Sequence, residues 1–455
     1  MPETARPTVS APSSSAQLAD LADLADLASE LRRLGKRAGL DAVGVCDAAP
    51  FEEARAALNN GRLRGWDAGM QFTYRNPARS TDPSRALPGA RAIVVGALTY
   101  ARQPPAPPDR QQSHDKSRPK GLVARYAWED HYGTLRGALN QVADRLRADG
   151  WRAAVLVDDN ALVDRAAAVR AGLGWYGKNT NVLIPGAGSC FVLGSVVTDA
   201  PLRANEPERG GLGGDSSFGS GNRPNTDESH AQKADPHPNE ARKCRIGATT
   251  GPTTRTPGPV EDGCGACRRC IDACPTGALT HDEPGHLDAN KCLAWLVQAP
   301  GIFPRQYRIA LHDRMYGCDD CQEACPINRL AERRQAPPEP AQDALTGVDI
   351  LYILEAPDRE LLNKLGRWYI PNRDAKYLRR NALIVLGNTG DATSPRIKGA
   401  IERAIADADP IIRTHAVWAA ARLGYNDLIP SRDNDPQVQD EIDAAATIHS
   451  RTVHA

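Results

Sequence analysis

CGACRRCIDACPTGAL, residues 264–279, spaces its thiols as Cys264-x2-Cys267-x2-Cys270-x3-Cys274 and follows the last with Pro275. A second run, YGCDDCQEACPIN (316–328), repeats the ending as Cys318-x2-Cys321-x3-Cys325-Pro326, with Cys292 upstream in place of its missing first thiol. A tight loop with three thiolates wraps one face of an iron–sulfur cubane. The fourth thiolate starts the next helix, points away and ligates the neighbouring cluster. That geometry divides the ligands. Cluster one takes Cys264, Cys267, Cys270 and Cys325; cluster two takes Cys274, Cys292, Cys318 and Cys321. The spacing therefore predicts a bacterial-ferredoxin-like domain with two [4Fe–4S] clusters over 261–330. A structural zinc site on Cys264, Cys267, Cys318 and Cys321 is the competing reading. It leaves four cysteines and both Cys-Pro pairs without a role.

Around this core the composition is that of a soluble multidomain chain. Its 455 residues carry no net charge, so nothing global calls for a polyanionic partner, and a nucleic-acid surface must be local. Eight of eleven cysteines lie between Cys264 and Cys325. Such crowding in a chain that starts without a basic, apolar leader points to metal or redox chemistry in the cytoplasm. No apolar run is long enough to span a bilayer. Cys46, Cys190 and Cys244 read as ordinary thiols.

Upstream, residues 17–202 mix helices and strands as an α/β or α+β domain. Repeated Leu-Ala-Asp leads into SELRRLGKRAGLDAVGV, a helix followed by a strand near Val43–Val45. RAIVVGALTY (91–100) reads as a buried strand, 101–121 as an exposed loop, and 132–150 as an amphipathic helix. Ala153–Val157 is a strand, 161–171 a helix and 190–198 a strand. Residues 1–16 read as a disordered tail. Residues 203–260, rich in Gly, Pro, Ser and Asn, read as a disordered insertion too poor in apolar surface to offset its ordering entropy. QAPPEPAQ (335–342) reads as a hinge. Over 345–430, Arg379-Arg-Asn-Ala-Leu recurs as Arg413-Thr-His-Ala-Val, which suggests HEAT-like helical repeats. Residues 431–455 are expected to be a tail.

Gly172-Leu-Gly174-Trp-Tyr-Gly177-Lys178-Asn179 mimics a dinucleotide fingerprint and nearly a P-loop. Each of those motifs needs a strand before it and a helix after it, and the predicted order here is the reverse. A tight turn, or a backbone-rich wall against a bulky cofactor, fits better.

Taken together, the two cysteine runs, VLVDDN (155–160), RAGLGWYGKNTNVL (170–183) and LDANKC (287–292) resemble the epoxyqueuosine reductase family over roughly 30–200 and 260–425. The resemblance implies a cobalamin held in base-off form between the N-terminal domain and the clusters. It implies an epoxide on the wobble base of tRNA as substrate, an anticodon stem-loop partner, and an external low-potential electron donor. It assigns proton donation to Asp158. Arg125, Tyr126, Gly172, Gly174, Lys178, Asn179 and Ser189 fall in stretches similar to the corrin-lining segments. Asp159 and Asn160 depart from the family's usual residues after the aspartate, Asp130-His131-Tyr132 stands where Asp-Tyr-His is common, and Ile327 replaces a tryptophan. A helix N-cap is the bland alternative for Asp158.

The resemblance also makes the C-terminal helices a tRNA-binding domain. From Lys364 to Arg422 basic residues outnumber acidic ones, and Trp368, Tyr369 and Tyr377 lie among them as candidates to stack on bases. A solvated helix face with core aromatics is the competing reading there. A monomer without membrane contact is expected. Two other functions compete: an electron-transfer module serving a partner enzyme, and a corrinoid reductase acting on a small molecule.

Overall fold

The computed structural model describes residues 14–104, 118–203 and 262–453, which all belong to one compact unit. The expected tail 1–16, most of loop 101–121, the insertion 203–260 and Cys244 lie wholly or largely outside the described residues.

The N-terminal part runs α1 (Ser14–Arg37), β1 (Ala42–Asp47), α2 (Glu52–Leu63), β2 (Ala92–Thr99), β3 (Lys120–Val123), α3 (His131–Ala148), β4 (Ala153–Val157), α4 (Asp164–Arg170), β5 (Trp175–Tyr176), β6 (Val182–Leu183) and β7 (Phe191–Thr198). Strands β1-β2-β7-β4 form one sheet in that order, antiparallel at every pairing. The continuous apolar run of β2 has a simple cause, because both faces of the sheet are covered. Val94 and Val196 face α1 and α3, packing with Leu31, Leu135 and Leu139. Ile93, Val95 and Val197 face the other way, onto Leu162, Ala167 and Ala168. Gly194 lets α3 come close; a Cβ there would lie 2.8 Å from both Leu139 and Val157 side chains. The mixed composition led to the expectation of an α/β or α+β domain, and the antiparallel pairing selects the second. The rule that ligands gather at the carboxyl edge of parallel strands therefore does not apply here.

The cluster region contributes α5 (Arg269–Asp272), α6 (Leu293–Leu296), β8 (Arg314–Tyr316), α7 (Asp320–Glu323) and α8 (Pro326–Arg334). Strand β9 (Gly347–Asp349) and helices α9 (Ile350–Glu355), α10 (Lys376–Thr389), α11 (Pro395–Ile405), α12 (Pro410–Leu423) and α13 (Pro436–Val453) follow. These parts are not beads on a string. Strand β3 lies between β8, parallel to it, and β9, antiparallel to it. One hydrophobic core joins Val123 and Trp128 to Leu293, Phe303 and Met315 and on to Leu351, Leu378 and Trp418. The segment expected as a hinge is strapped down. Gln103 donates to the carbonyls of Pro338 and Pro337, both at 2.9 Å, and Ala341 donates to Glu129.

Two further expectations change. The stretch 431–455 is not a tail: Val438, Ile442 and Ala445 of α13 pack on Val417, and Glu441 pairs with Arg308 at 2.9 Å, both almost fully buried. The basic run from Lys364 to Arg422 is not one solvated face. Arg380 is wholly buried and donates to the carbonyls of Leu296, Val297, Ala299 and Gly301. Arg379 is paired with Asp358. Trp368 is buried and stacked on Tyr316 at 4.4 Å, and Tyr377 is buried as well, whereas Tyr369 stays exposed. Burial of the charge on Arg380 is tolerable because carbonyl oxygens surround it.

Candidate functional site

The thiols fall into two groups. Burial raises the Cys270 thiol to about 11, and the next contributions come from Cys264, Cys325 and Cys267. Cys264, raised by burial, is likewise influenced by Cys325 and Cys267. In the other group Cys292, again raised mainly by burial, feels Cys274. Cys321 is raised by burial and then by Cys318 and Cys292. Cys321 also feels Cys270 of the other group. Cys292 and Cys325 each sit immediately before a helix, and Pro326 opens α8, where a fixed φ and a missing N–H cost nothing.

A cavity of about 420 Å³ lies against the second group. Cys274, Cys292, Cys318 and Cys321 all line it; Cys264, Cys267, Cys270 and Cys325 do not. Asp158 lines the same cavity. It follows β4 directly, and its φ of +52° is a left-handed conformation that Asp tolerates better than most residues. The extended backbone of β4 ends at Val157, and the turn at Asp158 aims its side chain. Asp159 spends its carboxylate locally, accepting from the Ala161 N–H at 2.8 Å in a turn. Neither aspartate caps α4, which starts at Asp164 after Val163. Asp158 keeps an exposed surface, yet desolvation still raises its carboxyl above the usual range, with Asp159 adding and Arg136 opposing. Both hold because the side chain is open to the cavity while protein surrounds the rest of it.

Sequence reasoning missed two more carboxyls here. Asp164, at the start of α4, lines the cavity; desolvation, helped by Asp158, pushes it well above the carboxylate range. Asp319 lines it too, accepts from the Arg125 N–H at 2.7 Å and is pushed by burial up to about 6. Asp319 lies inside the second cysteine motif, so its proximity was readable. Nothing local announces Asp164. Tyr132 lines the cavity, whereas His131 is buried elsewhere and Asp130 caps α3 through the Gly133 N–H.

The other expected residues divide. Tyr126, Asn179 and Ser189 line the cavity. Ser189 also donates to Gln322 at 3.0 Å, as does Tyr100 at 2.9 Å, which fastens the N-terminal domain to the second cysteine run. Arg125, Gly172, Gly174 and Lys178 are not among the lining residues. Arg125 pairs with Glu332 at 2.8 Å. Gly172 ends α4 at φ +74°. Gly174 allows the β5–β6 hairpin to close, since a Cβ would lie 2.1 Å from the Leu183 carbonyl oxygen. Lys178 turns to the carbonyls of Gly265 and Cys267.

Three polar atoms on residues that line this cavity are buried without a hydrogen-bond partner: Asn179 Nδ2, Asp164 Oδ1 and Asp319 Oδ1. Buried polar groups are normally satisfied. One amide and two carboxyls with unpartnered atoms, all on residues that line the cavity, fit a ligand that is itself rich in amides.

Comparison with known proteins agrees with this geometry. Residues 263–328 match the family model described as 4Fe-4S double cluster binding domain. Residues 80–159 match the one described as Epoxyqueuosine reductase QueG, DUF1730. The chain is 29% identical over 425 residues to epoxyqueuosine reductase from Bacillus subtilis (strain 168), covering 91% of this chain and 90% of that one. It is 28% identical over 393 residues to the Bacillus cereus enzyme of the same name, covering 86% and 87%. A solved epoxyqueuosine reductase with an epoxyqueuosine-modified tRNA-Tyr stem loop superposes with a TM-score of 0.72 at 25% identity, covering 94% of this chain and all of that one. The Bacillus subtilis structure, described with its catalytic aspartate loop swung out of the active site, gives 0.73 at 25% identity, covering 93% and 99%.

Proposed function

We propose that the chain is a member of the epoxyqueuosine reductase family, which its similarity to those proteins supports, and that it reduces the epoxide of epoxyqueuosine to the alkene of queuosine at the wobble position of tRNA. The observation that carries this reading is one cavity walled at once by Asp158 and by the four thiols of the second cluster. The overall change takes two electrons and two protons, breaks both C–O bonds of the epoxide and releases water. The electrons come singly from an external low-potential donor through the two [4Fe–4S] clusters.

Cobalamin, when bound, supplies a cobalt centre able to attack carbon or exchange single electrons with the substrate. Its rim of carboxamides suits the three open polar atoms, so Asn179, Asp164 and Asp319 would hold it, with Tyr126 and Ser189 alongside. The protein's part is the acid. Asp158, kept above the ordinary carboxylate range by desolvation, retains a proton closer to neutral pH and delivers it from its carboxyl oxygen to the departing epoxide oxygen. Apolar walls such as Val182, Phe191 and Leu293 limit bulk water around that transfer.

The C-terminal helices read as HEAT-like repeats that hold the stem-loop. Lys364, Arg373, Arg396, Arg403 and Arg422 are exposed there, and Tyr369 with its neighbour Phe72, 5.3 Å between ring centres, offers an aromatic surface for an unpaired base. Among the described residues no helix is long and apolar enough to cross a membrane. The test is anaerobic incubation with cobalamin, a low-potential reductant and epoxyqueuosine-tRNA, read by nucleoside mass spectrometry. Queuosine should accumulate; unchanged epoxyqueuosine with both clusters and cobalamin loaded would overturn the assignment.

A further inference from the structure

We propose that Lys178 is a redox-tuning residue: its ammonium clamps the loop of the first cysteine ring and makes that ring's cluster easier to reduce. The inference rests on the two-cluster domain and not on the substrate.

Two contacts carry it. Lys178 Nζ donates to the Gly265 carbonyl at 2.6 Å and to the Cys267 carbonyl at 3.0 Å, so the charge is pinned to the backbone between two ligands of the first ring. The loop needs such a clamp. Gly263, Gly265 and Ala266 are exposed and offer no side chain that could anchor it. Gly265, at φ +46°, is free to move once released.

The charge is also uncompensated. Among the described residues Lys291, Lys376 and Lys398 each pair with a carboxylate, whereas no carboxylate pairs with Lys178. A fixed positive charge beside the ligand loop stabilises the more negative, reduced state of a [4Fe–4S] cluster, which raises its potential. The position that resembles a nucleotide-loop lysine thus serves the cluster next door.

The experiment is an anaerobic redox titration of purified, reconstituted wild type, K178Q and K178R, followed by the EPR signals of the reduced clusters and by iron content. One of the two reductive waves should move to lower potential in K178Q and stay near wild type in K178R, while the other wave stays put in both. The moving wave should be the one that survives in Cys292→Ser. If K178Q sheds half its iron and K178R does not, the clamp is supported, because charge separates the two variants. Wild-type titration of K178Q, equal shifts in both variants, or equal iron loss from both overturns the proposal.

Discussion

The two cysteine rings share a motif and differ in what they face. The first, on Cys264, Cys267, Cys270 and Cys325, is built on an exposed loop held by a lysine. The second, on Cys274, Cys292, Cys318 and Cys321, forms a wall of the cavity that also holds Asp158. They meet through the packed side chains of Cys270, Ile271, Leu279 and Cys321. Under the proposed function, identical ligand chemistry takes two tasks from its surroundings: the outer ring would receive electrons and the inner one deliver them to the cavity.

The largest effect should come from breaking the inner ring. Cys318→Ser and Cys267→Ser should each leave about four of eight irons, one cubane of two, but with different consequences. Cys318→Ser should abolish turnover with any reductant. Cys267→Ser should retain measurable turnover when a small reduced viologen is supplied, because the intact inner ring borders the cavity. Equal inactivity under viologen would erase the distinction between the rings.

Within the cavity, Asp158→Asn should keep both clusters and cobalamin yet lose turnover by about 100-fold or more, the low end for a general acid. Asp159→Asn, whose carboxylate serves a local turn, should stay within a few-fold of wild type. Single-turnover assays on the loaded variants decide it, and a reversal of the two phenotypes would move the donor to Asp159.

The smallest effect concerns stability. The folded carboxyl of Asp164 lies well above its ordinary value, so the native state binds its proton more tightly than the unfolded chain does. Stability from this group therefore falls as pH rises from the unfolded value near about 4 toward the folded one. Asp164→Asn removes that loss. In cofactor-free protein its melting temperature should match wild type near about pH 4 and exceed it by a few degrees near about pH 8. A pH-independent difference would mean that Asp164 is satisfied in the cavity as it stands.

What the sequence revealed follows from where each signal resides. The double-cluster domain was legible because both of its cysteine motifs are local in sequence. Strand β2 was legible as an apolar run, but its antiparallel partners were not, since pairing depends on residues as distant as Val94 and Val196. Helix α13 was missed although Val438, Ile442 and Ala445 form an apolar stripe at helical spacing. Arg379-Arg-Asn-Ala-Leu and Arg413-Thr-His-Ala-Val place Asn381 and His415 at matching positions. Asn381 donates to the Val297 carbonyl and the equivalent His415 accepts from the Phe303 N–H, so both hold the segment behind Cys292. Counting basic residues failed at Arg380 because composition does not tell a buried guanidinium from an exposed one. Asp164 reached the site only through the packing of α4, which no window of sequence contains.

The threading of β3 between β8 and β9 bears on how the protein is made. Residues 120–123 leave the ribosome early, but the strands that flank them arrive only with residues 314–316 and 347–349. Until then the N-terminal half carries an open edge and part of an unfinished core, the state in which nascent chains are most prone to misassociate. The thiols from Cys264 to Cys325 all emerge within that same window. The cluster ligands and the strands that close this sheet thus become available in the same late stretch of synthesis.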